Sequence, residues 1–134
     1  MSEVIFHDNS QKVLSDLEKA VRRGLKAIGM TAEGYAKELT PVDTGRLRNS
    51  ITFAVSGESA NISSYSDSSG KNGGSYSGTA PGGDDAVYVG TNVEYAEYIE
   101  YGAAGRKAHH MLQQAATGHK DEYKNLMKES MENV

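Results

Sequence analysis

The residues whose types could carry chemistry are few, and their spacing does not suit it. His109 and His110 are adjacent and so point to different sides, and His119 lies further along. No carboxylate stands at a ligand-type spacing from them, cysteine is absent and no His-Glu-x-x-His pattern occurs, so no metal site is expected. Glu94, Glu97 and Glu100 recur in steps of three, a pattern that paired acid–base carboxylates can take. With no nucleophile or oxyanion donors beside them, a solvated helix face is the stronger reading. Gly70-Lys71-Asn72-Gly73-Gly74 lacks both the spacing and the strand–loop–helix setting of a phosphate-cradling loop. The basic pairs Arg22-Arg23, Arg46/Arg48 and Arg106-Lys107 are dispersed. In one copy they make a weak nucleic-acid site, whereas a ring would multiply them around its axis. For Arg46 and Arg48, pairing with carboxylates, a neighbouring subunit's included, is the favoured role. No catalytic residue, cofactor or metal is therefore expected, and a small hydrolase lacks every signature.

Composition sets the frame for these residues. A chain of 134 residues is expected to be a single domain spanning 1–134. Only 37% of it is hydrophobic, with no Trp and two Phe, so the core is thin and part of the burial falls to neighbouring subunits. A net charge of -4 argues against wrapping nucleic acid with the domain as a whole. The absence of cysteine excludes disulfides and thiolate metal sites and suits the cytoplasm. The N-terminus lacks the basic and apolar regions of a signal peptide. No apolar run approaches the roughly 20 residues of a membrane span. A soluble intracellular protein without membrane contact is expected.

The pattern of elements is α+β: a long N-terminal helix, a small antiparallel β-sheet with an extended hairpin or insert, a short helix and a C-terminal helix. Residues 3–7 are a short apolar run, suited to an edge strand or a docking tail. Asp8, Asn9 and Ser10 offer N-cap oxygens. Leu14, Leu17, Val21, Leu25, Ile28, Ala32, Tyr35 and Leu39 then follow in steps of three and four. They form one seam on a helix of about thirty residues, roughly 45 Å long, lying across a sheet or a second helix. Gly24, Gly29 and Gly34 interrupt it at up to ~1 kcal/mol each. They either admit a neighbour's backbone closely or mark a bend near Gly29. Thr40-Pro41 ends the helix.

Val42-Asp43-Thr44-Gly45 reads as a turn, with Asp43 bonding forward and Gly45 free to take positive φ. A helical turn at Arg46–Arg48 then leads into a strand, Ser50 to Ser56, with Ile51, Phe53 and Val55 on one face. Half of residues 57–86 are Gly or Ser, so this is a long insert. Ala60 to Tyr65 suits one strand of a hairpin arm whose tip lies near Ser68–Ser75. A disordered insertion and an arm that orders against a partner subunit are equally open. Ala86 to Thr91 is a strand. Asn92 is placed to cap a short helix, Glu94 to Tyr101, which Gly102 ends. A basic loop, 103–108, leads to a final helix from about His110 to Asn133. Its stripe is Leu112, Ala115 or Ala116, His119, Tyr123, Leu126 or Met127, and Met131 or Val134, with Gly118 as its weak point.

Two motifs stand at the ends of the 41–102 stretch. The first is Pro41-Val42-Asp43-Thr44-Gly45-Arg46-Leu47-Arg48-Asn49-Ser50-Ile51. The second is Val89-Gly90-Thr91-Asn92-Val93-Glu94-Tyr95-Ala96-Glu97-Tyr98-Ile99-Glu100-Tyr101-Gly102. Together, in this order and between two helices, they resemble the neck proteins of long-tailed double-stranded DNA phages, the head–tail joining, tail-completion and minor tail proteins. The matching positions are Pro41, Asp43, Thr44, Gly45, Leu47, Ser50, Ile51, Val89, Gly90, Tyr95, Ala96, Glu100 and Gly102, whose expected role is structural. The family commonly continues with a proline-containing segment. Here that place reads Lys107-Ala108-His109-His110-Met111-Leu112 without proline, so the approach angle of the last helix does not carry over.

The resemblance implies a non-enzymatic morphogenesis protein, a homo-oligomeric ring of six subunits (twelve the alternative) joining the head connector to the tail. Its implied partners are itself, the head-closure or connector protein, and tail terminator or tail-tube proteins. It would line the DNA passage, touching passing double-stranded DNA transiently and without specificity. Its implied location is the host cytoplasm during assembly and then the virion neck or tail. The alternatives are a tail terminator or other minor tail-tube protein, and a small nucleic-acid-binding module. Arg46, Arg48, Glu94, Glu97, Arg106 and Lys107 are the candidates for inter-subunit or DNA-facing contacts. If Glu94, Glu97 and Glu100 share a lumen face, they would keep DNA from sticking.

Overall fold

The computed structural model describes residues 10–42, 45–66, 69–70 and 73–132, and its architecture is α+β. The run at residues 3–7, the caps Asp8 and Asn9, the turn residues Asp43 and Thr44, and residues 133–134 lie outside the described residues, as does part of the insert's tip.

Helix α1 runs unbroken from Ser10 to Leu39. Its buried line is Ala20, Gly24, Leu25, Gly29, Ala32 and Ala36, mostly small residues. The larger members of the expected seam, Leu17, Val21, Ile28, Tyr35 and Leu39, flank this line half-buried, and Leu14 is exposed. A ridge of Ala and Gly lets neighbours approach the helix axis. A Cβ on Gly29 would fall 2.8 Å from Val87 Cγ2 and still closer to the Phe53 ring; one on Gly24 would fall 2.6 Å from Met127 Sδ. Close approach, not a bend, therefore accounts for these two glycines. Gly34 faces open space, and neither reason applies to it. At the helix end Thr40 Oγ1 donates to the Ala36 carbonyl at 2.6 Å, an acceptor left open because the Thr40 N–H bonds Lys37 O instead at 3.3 Å.

The short helix α2, Arg46–Ser50, follows Gly45, whose φ of 84 is the positive value expected there. Strands β1 (Thr52–Val55) and β4 (Val87–Gly90) pair antiparallel, with Thr52 opposite Gly90 and Val55 opposite Val87. Strands β2 (Ser59–Tyr65) and β3 (Gly74–Thr79) form a second antiparallel ribbon, with Ser59 opposite Thr79. The two ribbons follow in series. Ser56 N–H donates to Ala86 O at 2.8 Å and Gly57 N–H to Ala80 O at 3.1 Å. Gly57, at φ 76, makes the corner between them. The expected single sheet is thus one long hairpin broken into two ribbons.

The second ribbon folds back onto its own chain. Tyr65 is 7% exposed and belongs to the core cluster with Leu47, Val93, Ala96 and Met111. Neither alternative read for the insert included an aromatic residue lodged in the chain's own core.

Helix α3 covers Ala96–Tyr101. The expected last helix is two pieces, α4 (Met111–Thr117) and α5 (Lys120–Glu132), broken at Gly118 and His119. Helix α5 runs antiparallel along α1: Ser130 Oγ donates to Ala20 O at 2.5 Å, and near the other end the Tyr35 hydroxyl donates to Glu122. Helix α1 thus lies across both the β1–β4 ribbon and the C-terminal helices. A second cluster, Ala36, Ile51 and Ala115, meets the first through Leu112.

Candidate functional site

The two motif segments, far apart in sequence, meet at one corner of the fold. Arg46 Nη1 and Nη2 donate to Glu94 Oε1 and Oε2 at 3.0 and 3.3 Å, a two-pronged pair. The pair holds the Arg46 proton more firmly than usual and keeps the Glu94 carboxyl below its ordinary range, in both cases chiefly through their mutual hydrogen bonds. The guanidinium also lies 5.8 Å from the centre of the Tyr95 ring. Beneath it, Ser50 is fully buried. Its hydroxyl donates to Leu47 O at 2.6 Å, so its 2.5 Å contact with Thr91 Oγ1 must be donated by Thr91. Thr91 Oγ1 in turn accepts from Val93 N–H at 3.1 Å.

The insert closes this corner from the third side. The Tyr65 hydroxyl donates to Asn92 Oδ1 at 2.6 Å, and Asn49 Nδ2 donates to Ser66 O at 3.0 Å. Asn92 therefore does not cap α3 as expected: Tyr95 occupies that position without a side-chain bond. The amide is instead the latch for the hairpin.

Glu100 is the least expected residue. It is 5% exposed and accepts the N–H groups of Leu112 and Gln113 at 2.7 and 3.2 Å. These are orphan donors of the first turn of α4, and a carboxylate there also suits the helix dipole. In return His109 N–H and His110 N–H donate to the carbonyls of Ile99 and Glu100 at 2.9 and 3.0 Å. His110 takes a left-handed φ of 47 just before α4. Cap and turn together set the angle at which α4 leaves α3. Gly102, at φ 80, admits the returning loop, since a Cβ there would fall 2.8 Å from Arg106 O.

These contacts dissolve the shared acidic face. Glu94 is tied to Arg46, Glu97 is exposed, and Glu100 is buried against α4. They differ because the helix starts only at Ala96, which takes Glu94 off the face, and because α4 crosses the side that carries Glu100. A lumen lining built from all three is withdrawn.

The other expected site residues fall into two groups. Leu47, Ile51 and Ala96 are buried, Val89 and Tyr95 are half-buried against the clusters, and Gly90 ends β4 opposite Thr52. Pro41, Arg48, Glu97, Arg106 and Lys107 are exposed. His109 is exposed, while His119 stacks on Tyr35 with centroids 3.5 Å apart and lies 4.0 Å from Glu122. Among the described residues no three His, Cys, Asp or Glu gather as a metal ion would need. No described helix is long and apolar enough to cross a membrane. Thr91, Asn92 and Tyr65 carry the corner without having been singled out for it. Of these, Tyr65 stands out as an aromatic residue in a Gly/Ser-rich insert and Asn92 as a cap former, though for a different place, and Thr91 carries no signal.

Residues 6–102 match the family described as "Bacteriophage HK97-gp10, putative tail-component". No curated protein and no solved structure matches the chain. The matched span takes in α1, both motif segments and the hairpin between them, the parts that build the corner just described. The chain belongs to the HK97 gp10-like family of bacteriophage tail components.

Proposed function

We propose that this protein is a non-enzymatic ring subunit at the head–tail junction of a long-tailed phage, joining the connector to the tail around the DNA passage. The observation that carries the reading is how the polar motif residues are used. Arg46, Ser50, Thr91, Asn92, Glu94 and Glu100 are all engaged in fixing the chain's own corners, which supports a role in shape and assembly over one in chemistry. Membership of a tail-component family supports a virion position, with other virion proteins as partners. The same description favours the tail side of the junction, so a tail terminator or minor tail-tube subunit is the second reading. Exposed Arg48, Arg106 and Lys107 remain the candidates for fleeting contact with passing DNA.

The test is native mass spectrometry of the protein alone and mixed with connector or tail-tube protein, together with its copy number in purified particles. A closed oligomer that enters particles in several copies is the expected result, with the partner that recruits it deciding between the two slots. A protein that stays monomeric with both partners and never enters particles would overturn the assignment.

A further inference from the structure

Two exposed surfaces of this chain carry contrasting chemistry. Opposite the buried line of α1 runs an outward stripe of Lys19, Arg23, Lys26 and Met30, in helical steps of four, three and four. The three cations are exposed, and Met30 is 58% exposed. Among the described residues no carboxylate lies within ion-pairing distance of Lys19, Arg23 or Lys26. Their neighbour Arg22 is the exception, held by Glu58 at 3.2 Å and by Ser56 O at 2.8 Å. An open groove of about 500 Å³ runs beside the stripe.

The second surface is α3. Tyr98 and Tyr101, one helical turn apart, are 60% and 70% exposed, and exposed Glu97 stands beside them. Two large rings turned outward on a six-residue helix have no role in the chain's own core, which α3 reaches through Ala96 and Ile99.

We infer that α3 of one copy docks on the outward stripe of α1 of the next, with Tyr98 and Tyr101 over Arg23, Lys26 and Met30 and Glu97 facing the cations. The chemistry is complementary on each count. Cations and a thioether suit tyrosine faces, and the exposed Glu97 carboxylate meets a basic stripe. Tyr, Met and Arg are also the residue types enriched at interface cores. Duplex DNA fits the stripe less well, because the exposed Met30 thioether that continues it has nothing to contact on a phosphate backbone. The two surfaces do not overlap. Helix α3 packs near Leu39, which lies roughly 20 Å along α1 from Lys26 at 1.5 Å per residue. A contact between different patches of identical chains is head-to-tail and propagates into a ring or a filament. The inference rests on the ring reading and names the surface that would build it.

The test uses two variants of the full chain. One removes the α3 patch (Tyr98→Ser with Tyr101→Ser), the other reverses the stripe (Arg23→Glu with Lys26→Glu). All four residues are exposed, so circular dichroism and Tm should stay close to wild type. Each variant alone should lose self-association at least about tenfold by sedimentation, the scale of a kilocalorie-range interface contact. Mixed, the two should form one-to-one dimers and nothing larger, since only one competent surface pair survives in the mixture. Variants that assemble normally, a mixture that stays monomeric, or a wild type monomeric at about millimolar protein would each overturn the interface. So would a stripe variant that loses only salt-dependent binding to a DNA duplex, which would reassign the stripe to nucleic acid. Particle copy number separates the two failures. Multiple copies per particle with both variants incorporated normally sinks this interface alone, whereas one copy or none sinks the ring reading itself.

Discussion

Glu100 shows how one buried charge can organise a corner. Its carboxylate replaces water for two N–H groups of α4 while α3 supplies the carbonyls that receive His109 and His110. Removing it leaves two donors facing an apolar cluster, and charged hydrogen bonds are the costly kind to lose. Glu100→Ala is expected to cost about 2–4 kcal/mol in urea unfolding, with Glu100→Gln intermediate because an amide oxygen can still accept. An equal, negligible effect of both would refute the cap. Tyr35 offers a pH readout. Its hydrogen bond to Glu122 pushes the phenol up to about 12 from 10.0, with burial adding in the same direction. The folded chain therefore holds this proton more tightly than the unfolded chain. The resulting stability is fully present below pH 10 and is lost as pH rises through about 12. Tyr35→Phe should remove that component, flattening the alkaline arm of the stability curve relative to wild type. Parallel curves for the two proteins would show that the bond contributes nothing.

Among the elements, α1 is defined by what it lacks on one side. Its Ala and Gly line brings the Phe53 ring, Val87 and Met127 close to the helix axis, which suits a chain with few large apolar residues. Gly29 and Gly34 make a controlled pair. Gly29→Ala must displace both Phe53 and Val87 and should destabilise by about 1–3 kcal/mol, the usual cost of overpacking. Gly34→Ala meets nothing and should stabilise by roughly 0.5–1 kcal/mol through helix propensity. Thermal unfolding of the two variants checks both signs, and a shared sign would show that propensity or packing alone governs the helix. The hairpin presents a similar contrast. Tyr65→Ala empties a place in the main cluster and should cost about 3–5 kcal/mol. Replacing residues 67–72 with a short turn should leave stability near wild type and, on the ring reading, impair joining of heads to tails. If that deletion unfolds the protein, the tip belongs to the folding unit; if particles still join normally, it is filler.

At the scale of the molecule, a thin core and outward-facing tyrosines are what the proposed assembly would cover. Because the inferred contact sets Glu97 and two tyrosines against a basic stripe, self-association should weaken as ionic strength rises and the Debye length shortens from about 10 Å at 0.1 M salt to about 3 Å at 1 M. Sedimentation across that range checks this. Assembly that strengthens with salt would point to a purely apolar contact elsewhere on the surface.

Local chemistry was legible from residue order alone. Pro41 stops α1, Gly45 and Gly102 take positive φ, and Phe53 to Val55 and Val87 to Val89 form strands, because each depends on the residue's own backbone or on near neighbours. The α+β architecture and the paired motifs followed from the same signals. What tertiary structure decided were the partners supplied by distant segments. Three glutamates spaced alike became a surface ion pair, an exposed carboxylate and a buried cap, according to which helix or arginine faced each one. Asn92 became a latch because Tyr65 returned to it, and Tyr65 became core because the ribbon turned at Gly57. Gly118 broke the last helix where Tyr35 and His119 stack. Charge and helical period identify a residue's face, but only the packed chain determines what stands opposite it.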